Sequence, residues 1–200
     1  MNIMNVDEML SAVRTFAYNN SEKDDLHGFK HVGRVLNLCV QIGTALNANL
    51  LIIKIAALLH DVGRIHEKKN DAKNHAEISA EMAKEFFHKT NFNITIDDIE
   101  NIIHSIRAHS FSNNVKPKTL EAKILSDADK LDALGAIGLY RTIIYSFKLK
   151  NGGIEKVINH LENKILKLKD GLYLEVSKQI AEERSKIIID FYDKIREEIT

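Results

Sequence analysis

The residues of this sequence best equipped for chemistry are an adjacent pair, His60 and Asp61, in the apolar stretch "AALLHDVGRI". A core-facing helix end would ordinarily be carbon. A buried neutral polar group left unpaired costs roughly 2–7 kcal/mol, so a buried carboxylate or imidazole must find a partner. The pair is either a satisfied structural site or a place where something cationic sits. Three other segments carry similar groups: "LHGFKHVGRV" with His27 and His31, "NHAEISA" with His75, and "SDADKLDALGAIG" with Asp129. A divalent metal bound by His nitrogens and Asp oxygens needs ligands converging from several helices. The spacings, 29 residues from His31 to His60 and 68 from Asp61 to Asp129, are compatible with that scheme without establishing it.

The elements that must position these residues are helices. Apolar residues recur at helical spacing nearly throughout, and one proline (Pro117) and nine glycines leave few breakers. Val32, Val35, Leu36, Cys39, Ile42, Ala45 and Leu46 form one stripe of a helix starting near Gly28. "NANLLIIKIAALLHD" reads as a mostly buried helix, with Asn49 as its N-cap and Gly63 as its stop. "KNHAEISAEMAKEFFHK" is amphipathic with Asn74 available as its cap, and "TIDDIENIIHSIRAHS" begins with Thr95 and acids that suit a helix N-terminus. Pro117 and Thr119 precede a stretch that reads as two helices meeting around Asp127–Asp129. Asn151, Gly152 and Gly153 punctuate the chain before two further helical stretches. The expectation is an all-α, single-domain helical bundle of about eight to ten helices. Its metal-site core spans about 26–135, with C-terminal helices over about 151–200 packing on it. The charged stretch 64–74, "RIHEKKNDAKN", reads as a solvated loop and a candidate lid.

Composition narrows the function classes. The 200 residues are 44% apolar, enough for one well-buried core. Lys+Arg 28 against Asp+Glu 28 leaves no global basic field, so nucleic acid is not the expected partner. The single cysteine, Cys39, excludes an intramolecular disulfide and reads as a core thiol in a reducing compartment. No signal-peptide pattern and no membrane-length apolar run is present, so no membrane association is expected and the expected location is cytoplasmic.

Taken together, the segments resemble the HD superfamily of metal-dependent phosphohydrolases. "HGFKHVGRV" is similar to that group's HDxxHxxRV, and "HAEISA" to its HxxxSA. "HSIRAHSFS", "EAKILSDADKLDALGAIGLYR" and "HLENKILKLKDGLYLEVSKQIAEER" also resemble its segments, in the same order and over nearly the whole chain. Gly28 departs from the pattern, which commonly has Asp there.

The resemblance implies that His31, His60, Asp61 and Asp129 bind a divalent metal. Mixed imidazole and carboxylate ligation suits Mn, Fe, Co, Ni or Zn, and Mg stays in the set although it favours oxygen. One ion is expected; additional histidines leave room for two. Asp61, His75 and His109 form the expected catalytic set, with His27, His75, His104, His109, Arg64 and Lys130 placed to contact substrate. His104 and His109 lie five residues apart, about 140° around a helix, so both should not point inward; His109 is the stronger candidate. Arg34 could neutralise a phosphate or pair with a carboxylate. Asp127 and Asp132 read as cap or ion-pair partners, and His66, His88 and His160 as surface residues.

The implied substrate is a small phosphorylated molecule, a nucleotide first, with hydrolysis of nucleoside triphosphates to pyrophosphate or phosphate as the leading reaction. A cyclic-nucleotide or alarmone phosphodiesterase ranks lower. The alarmone group's acidic pair is represented only by Glu67, and no GYP-type motif is present. A non-catalytic nucleotide-binding sensor on the same scaffold is the alternative from another class. Oligomeric state stays open, a homodimer included.

Overall fold

Helix α3, Leu50–Leu59, is apolar on almost every side, and the chain folds around that fact. A helix hydrophobic all round must be buried, and Ile53, Ile55, Ala56, Ala57 and Leu59 are wholly inaccessible to solvent. Each large aliphatic so buried stabilises by about 1.5–3 kcal/mol. The computed structural model describes residues 5–67, 74–90 and 92–199. They hold ten α-helical segments and two 3-10 stretches, with no β-strand among the described residues, and the architecture is all-α. The chain divides into two compact units, Met1–Ser126 and Asp127–Thr200.

In the first unit α1 (Val6–Asn19) and α2 (Phe29–Ala45) pack on α3, and α5 (His75–Lys89) packs on α6 (Ile96–His109), which also lies against α3. Between α3 and α5 stands one helical turn, α4 (Arg64–Glu67). The helix starts follow the capping chemistry. Asn49 accepts the amides of Leu51 and Ile52, Asn74 that of Ala76, and Thr95 that of Asp98. Cys39 is fully buried, as a core thiol should be.

Helix α7 (Leu120–Asp132) begins in the first unit and ends in the second, which also contains α8 (Gly135–Lys148), α9 (Ile154–Asn163) and α10 (Glu175–Glu198). The start of α10 has no side-chain cap of its own. Asp127 supplies one from α7, accepting the amides of Tyr173 and Leu174 at 2.9 Å each. Asp132 pairs with Arg141.

Four expectations need correction. Helix α3 stops at Leu59 with His60 as its C-cap, before Gly63. Helix α7 runs unbroken through Asp127–Asp129, and the break falls at Ala133–Leu134, where Gly135 takes φ +78°, a left-handed conformation glycine adopts without Cβ strain. Arg64–Glu67 is helical where a loop was expected, because Arg64 and Glu67 have partners on either side; 68–73 of that stretch lie outside the described residues. His160 is half-buried, its ring 4.9 Å from that of Tyr145, whereas His66 and His88 are exposed.

Candidate metal centre

Two helices of the first unit end in the same way. His60 caps α3 and turns its Nδ1 onto the carbonyl of Ala57, three residues back, at 2.7 Å. His109 closes α6 and does the same to Ile106 at 2.6 Å. A carbonyl only accepts, so each Nδ1 carries a proton, and Nε2 is the ring nitrogen left to face Asp61. Both rings are buried, and His109 Nε2 has no hydrogen-bond partner.

These Nε2 atoms face a carboxylate. Asp61, 3% exposed, has four imidazole nitrogens around it. His31 Nε2 and His60 Nε2 each lie 3.7 Å from Oδ2; His75 Nε2 and His109 Nε2 each lie 3.6 Å from Oδ1. His31 and His60 bring their Nε2 atoms within 3.3 Å of each other. The rings follow one another around the carboxylate: His31 to His60 at 5.3 Å, His60 to His109 at 4.9 Å, His109 to His75 at 5.4 Å. His27 adjoins this row, 6.2 Å from His31, but precedes α2, with its amide bonded to Asp24.

Arg64 is the cation already present. Its Nε donates to Asp61 Oδ2 at 2.8 Å, and one terminal nitrogen reaches Oδ1 and His75 Nε2 at 3.1 Å each. Burial alone would push the Asp61 carboxyl up; the charge of Arg64 beside it instead holds it well below the usual carboxylate range. Burial, then Arg64, pushes the His75 imidazolium down, leaving the ring neutral.

Glu67 was undervalued in the sequence, where it counted only as a late acid. Its Oε1 accepts both the His75 amide and His75 Nδ1–H at 3.0 Å. That acceptor fixes the His75 tautomer and aims Nε2 at Asp61. The visible signal was a carboxylate eight residues before the histidine of "HAEISA". Gly63 was undervalued as well: its amide donates to Ser79 Oγ at 2.9 Å and holds the turn after Asp61 against α5.

The structure thus brings His31, His60, Asp61, His75, His109 and Arg64 together in the first unit. His104 points elsewhere: its Nε2 accepts the Lys118 amide at 2.9 Å. Arg34 is half-buried on α2. Asp129 and Lys130 lie half-buried on the second-unit part of α7, with the Lys130 ammonium 5.2 Å from the Tyr173 ring centre.

The donor set fits a divalent cation. Ligand atoms of His60, Asp61 and His109 lie within 4.8 Å of one another, all buried. Imidazole nitrogens gathered around a carboxylate, beside two helix C-termini with their partial negative charge, suit a cation between them.

Residues 28–134 match the HD domain family, more than half of the chain, and the chain belongs to that family. It is similar to the uncharacterized protein YpgQ of Bacillus subtilis, at 29% identity over 180 residues, 86% of this chain and 84% of that one. The crystal structure of YpgQ aligns with TM-score 0.78 at 25% identity, covering 98% of each chain. YpgQ in complex with ADP aligns at 0.74 and 25% identity, covering 98% of this chain and 97% of that one. An HD superfamily hydrolase from an uncultured Thermotogales bacterium gives 0.71 at 25% identity, covering 98% and 100%. Ribonuclease Y of Thermoanaerobacter pseudethanolicus is 29% identical over 133 residues, which are 66% of this chain but 23% of that one. No described helix is long and apolar enough to cross a membrane.

Proposed function

We propose that this protein is a divalent-metal-dependent phosphohydrolase of small nucleotides, with nucleoside triphosphates as its leading substrates. The observation that carries the reading is the ring of buried imidazole nitrogens around Asp61. His31, His60 and Asp61 would hold the ion, with Asp129 as the fourth ligand the family resemblance implies. A second ion would draw on His75 and His109. A bound divalent ion supplies Lewis acidity and lowers the pKa of its water.

The rest falls to the chain's own groups. Asp61 is ionised and can accept a proton at either oxygen. Neutral His75 can hold one at Nε2. Arg64 offers a planar fork of donors suited to phosphate as well as to carboxylate. The nucleotide choice leans on YpgQ, a relative solved in complex with ADP. Lys130, His27 and His104 remain substrate-contact candidates of the same proposal.

The test is to purify the protein with Mn, offer dNTPs, NTPs, ADP, a phosphoester panel and an RNA oligonucleotide, and assay phosphate and pyrophosphate separately. Pyrophosphate or phosphate release from nucleotides is expected, and Asp61→Ala should abolish both metal retention and turnover. No turnover of any member with any divalent ion would sink the claim. Nucleotide binding without turnover in a metal-replete sample would favour a sensor, and cleavage of RNA alone would refute the small-nucleotide reading.

A further inference from the structure

Arg64 already engages the carboxylate at the centre of the imidazole ring. Its Nε–H and one terminal N–H take both oxygens of Asp61, at 2.8 and 3.1 Å, and the same terminal nitrogen reaches His75 Nε2 at 3.1 Å. One guanidinium therefore covers two of the groups to which a cation would turn. It is also the most open member of the cluster. The side chains of His31, His60, Asp61 and His109 are at most 1% exposed and that of His75 is 7% exposed, whereas that of Arg64 is 20% exposed. Arg64 springs from the single turn α4, none of whose residues is buried, so its side chain can swing outward without disturbing α3 or α5. The cluster has a second acid, Glu67, but that carboxylate is turned onto His75 Nδ1. A divalent charge placed beside Asp61 leaves the guanidinium next to a charge of its own sign, where little water screens the repulsion.

We infer that Arg64 and the divalent ion compete for Asp61, and that a phosphate-type anion relieves the competition by drawing the guanidinium away. The inference rests on the metal-dependent reading proposed above and adds a coupling to it. Held on Asp61, Arg64 stabilises the buried carboxylate and lowers the affinity of the site for the ion. Turned outward, its planar fork fits two oxygens of a phosphate as well as it fits two of a carboxylate. Ion and anion then bind cooperatively, each strengthening the other by the same factor. A lone ion is held less tightly than its ligand set would allow, and the site closes on its metal when a phosphorylated ligand arrives.

The test is metal binding, not turnover. Mn titrations of the full chain by calorimetry, with and without inorganic phosphate at matched free Mn, compare wild type with Arg64→Met, which keeps a long side chain and loses the charge. Without phosphate, Arg64→Met should bind Mn more tightly than wild type, by a factor within the roughly 5–150-fold typical of coupling between sites. Phosphate should tighten Mn binding several-fold in wild type and much less in Arg64→Met. Should the methionine variant not fold, wild type gives a reading of its own. On addition of diamagnetic Zn, the Arg64 Nε–H resonance, identified by its loss in Arg64→Lys, should leave its hydrogen-bonded downfield position and exchange faster with water. Equal or weaker Mn binding by folded Arg64→Met overturns the inference. So does an equal phosphate effect in the two proteins, or an Arg64 Nε–H unmoved by saturating Zn. Absence of metal binding in every protein would overturn the metal-dependent reading itself, whereas metal binding indifferent to Arg64 overturns the competition alone.

Discussion

Gly63→Ala tests the site through its backbone and leaves every ligand in place. A Cβ built on Gly63 would lie 2.5 Å from the Ser79 nitrogen, 2.8 Å from the His75 oxygen and 2.9 Å from the Ile78 carbonyl carbon. All three are main-chain atoms of the first turns of α5, so no side-chain rotation relieves the overlap. Reaching even 3.0 Å from the Ser79 nitrogen requires the turn and the helix to part by half an ångström. The movement falls between Asp61, two residues before Gly63, and His75, the first residue of α5, whose Nε2 is 3.6 Å from Asp61 Oδ1. Overpacking of this kind costs about 1–3 kcal/mol, which lowers a urea midpoint by roughly 1 M. A displacement approaching 1 Å is worth about a hundredfold in rate, so kcat/KM should fall on the order of ten- to a hundredfold. Gly33→Ala is the control: it sits on α2 two residues after His31, and its Cβ would meet nothing within 4 Å. There, alanine should stabilise by roughly 0.5–1 kcal/mol and leave activity unchanged. Urea unfolding and nucleotide turnover of both variants decide the matter. A Gly63→Ala protein with the wild-type midpoint and wild-type activity would refute the reasoning.

Three shorter predictions accompany it. The Asp61 carboxyl is held below its unfolded value of about 3.9, so its contribution is complete above about pH 4 and is lost as pH falls through the folded value. Asp61→Asn should therefore flatten the dependence of unfolding free energy on pH below about 4, and an unchanged slope in denaturant titrations contradicts this. Glu67→Ala should release the His75 tautomer, read as loss of the Nδ1–H pattern in ¹⁵N NMR, with turnover down roughly 10–100-fold; Glu67→Gln, which keeps an acceptor, should retain most of both. Asn74→Ala removes the cap of α5 and its bond to Ser112, and should cost about 0.5–2 kcal/mol by urea unfolding.

What could be read before folding was set by how local the physics is. Caps at Asn49, Asn74 and Thr95 are written in one residue and the turn that follows, and they stand where the sequence put them. The buried character of α3 follows from its composition alone. The break after α7 was misplaced because Asp127 looks like a local helix stop, whereas its carboxylate caps a helix that begins 48 residues later. His160 looked like a surface residue because nothing in its neighbourhood along the chain announces Tyr145. Arg64 was legible as a cation beside the ligands, but its carboxylate partner and its reach to His75 depend on the single turn α4, which a charged segment conceals. Glu67 lacked any periodic signal, since its target lies across residues that carry no apolar pattern.

The opening pair, His60 and Asp61, gains its meaning from what precedes it. A buried carboxylate is unfavourable by itself, so a fold that keeps one must offset the cost elsewhere. Here the ten residues before it do so: seven residues of α3 are buried, and the helix carries no charge other than Lys54. The same apolar helix makes the ligands rigid. His60 cannot turn away without giving up the Ala57 carbonyl, and α3 cannot shift without opening its contacts to α1, α2 and α6. His109 is tied to Ile106 in the same fashion, and Ile106 is wholly buried. The two Nε2 atoms are therefore aimed by main-chain carbonyls of packed helices, so the direction of each is fixed by folding. An arrangement of that kind is preorganised for a cation, because little ordering remains to be done when the charge arrives.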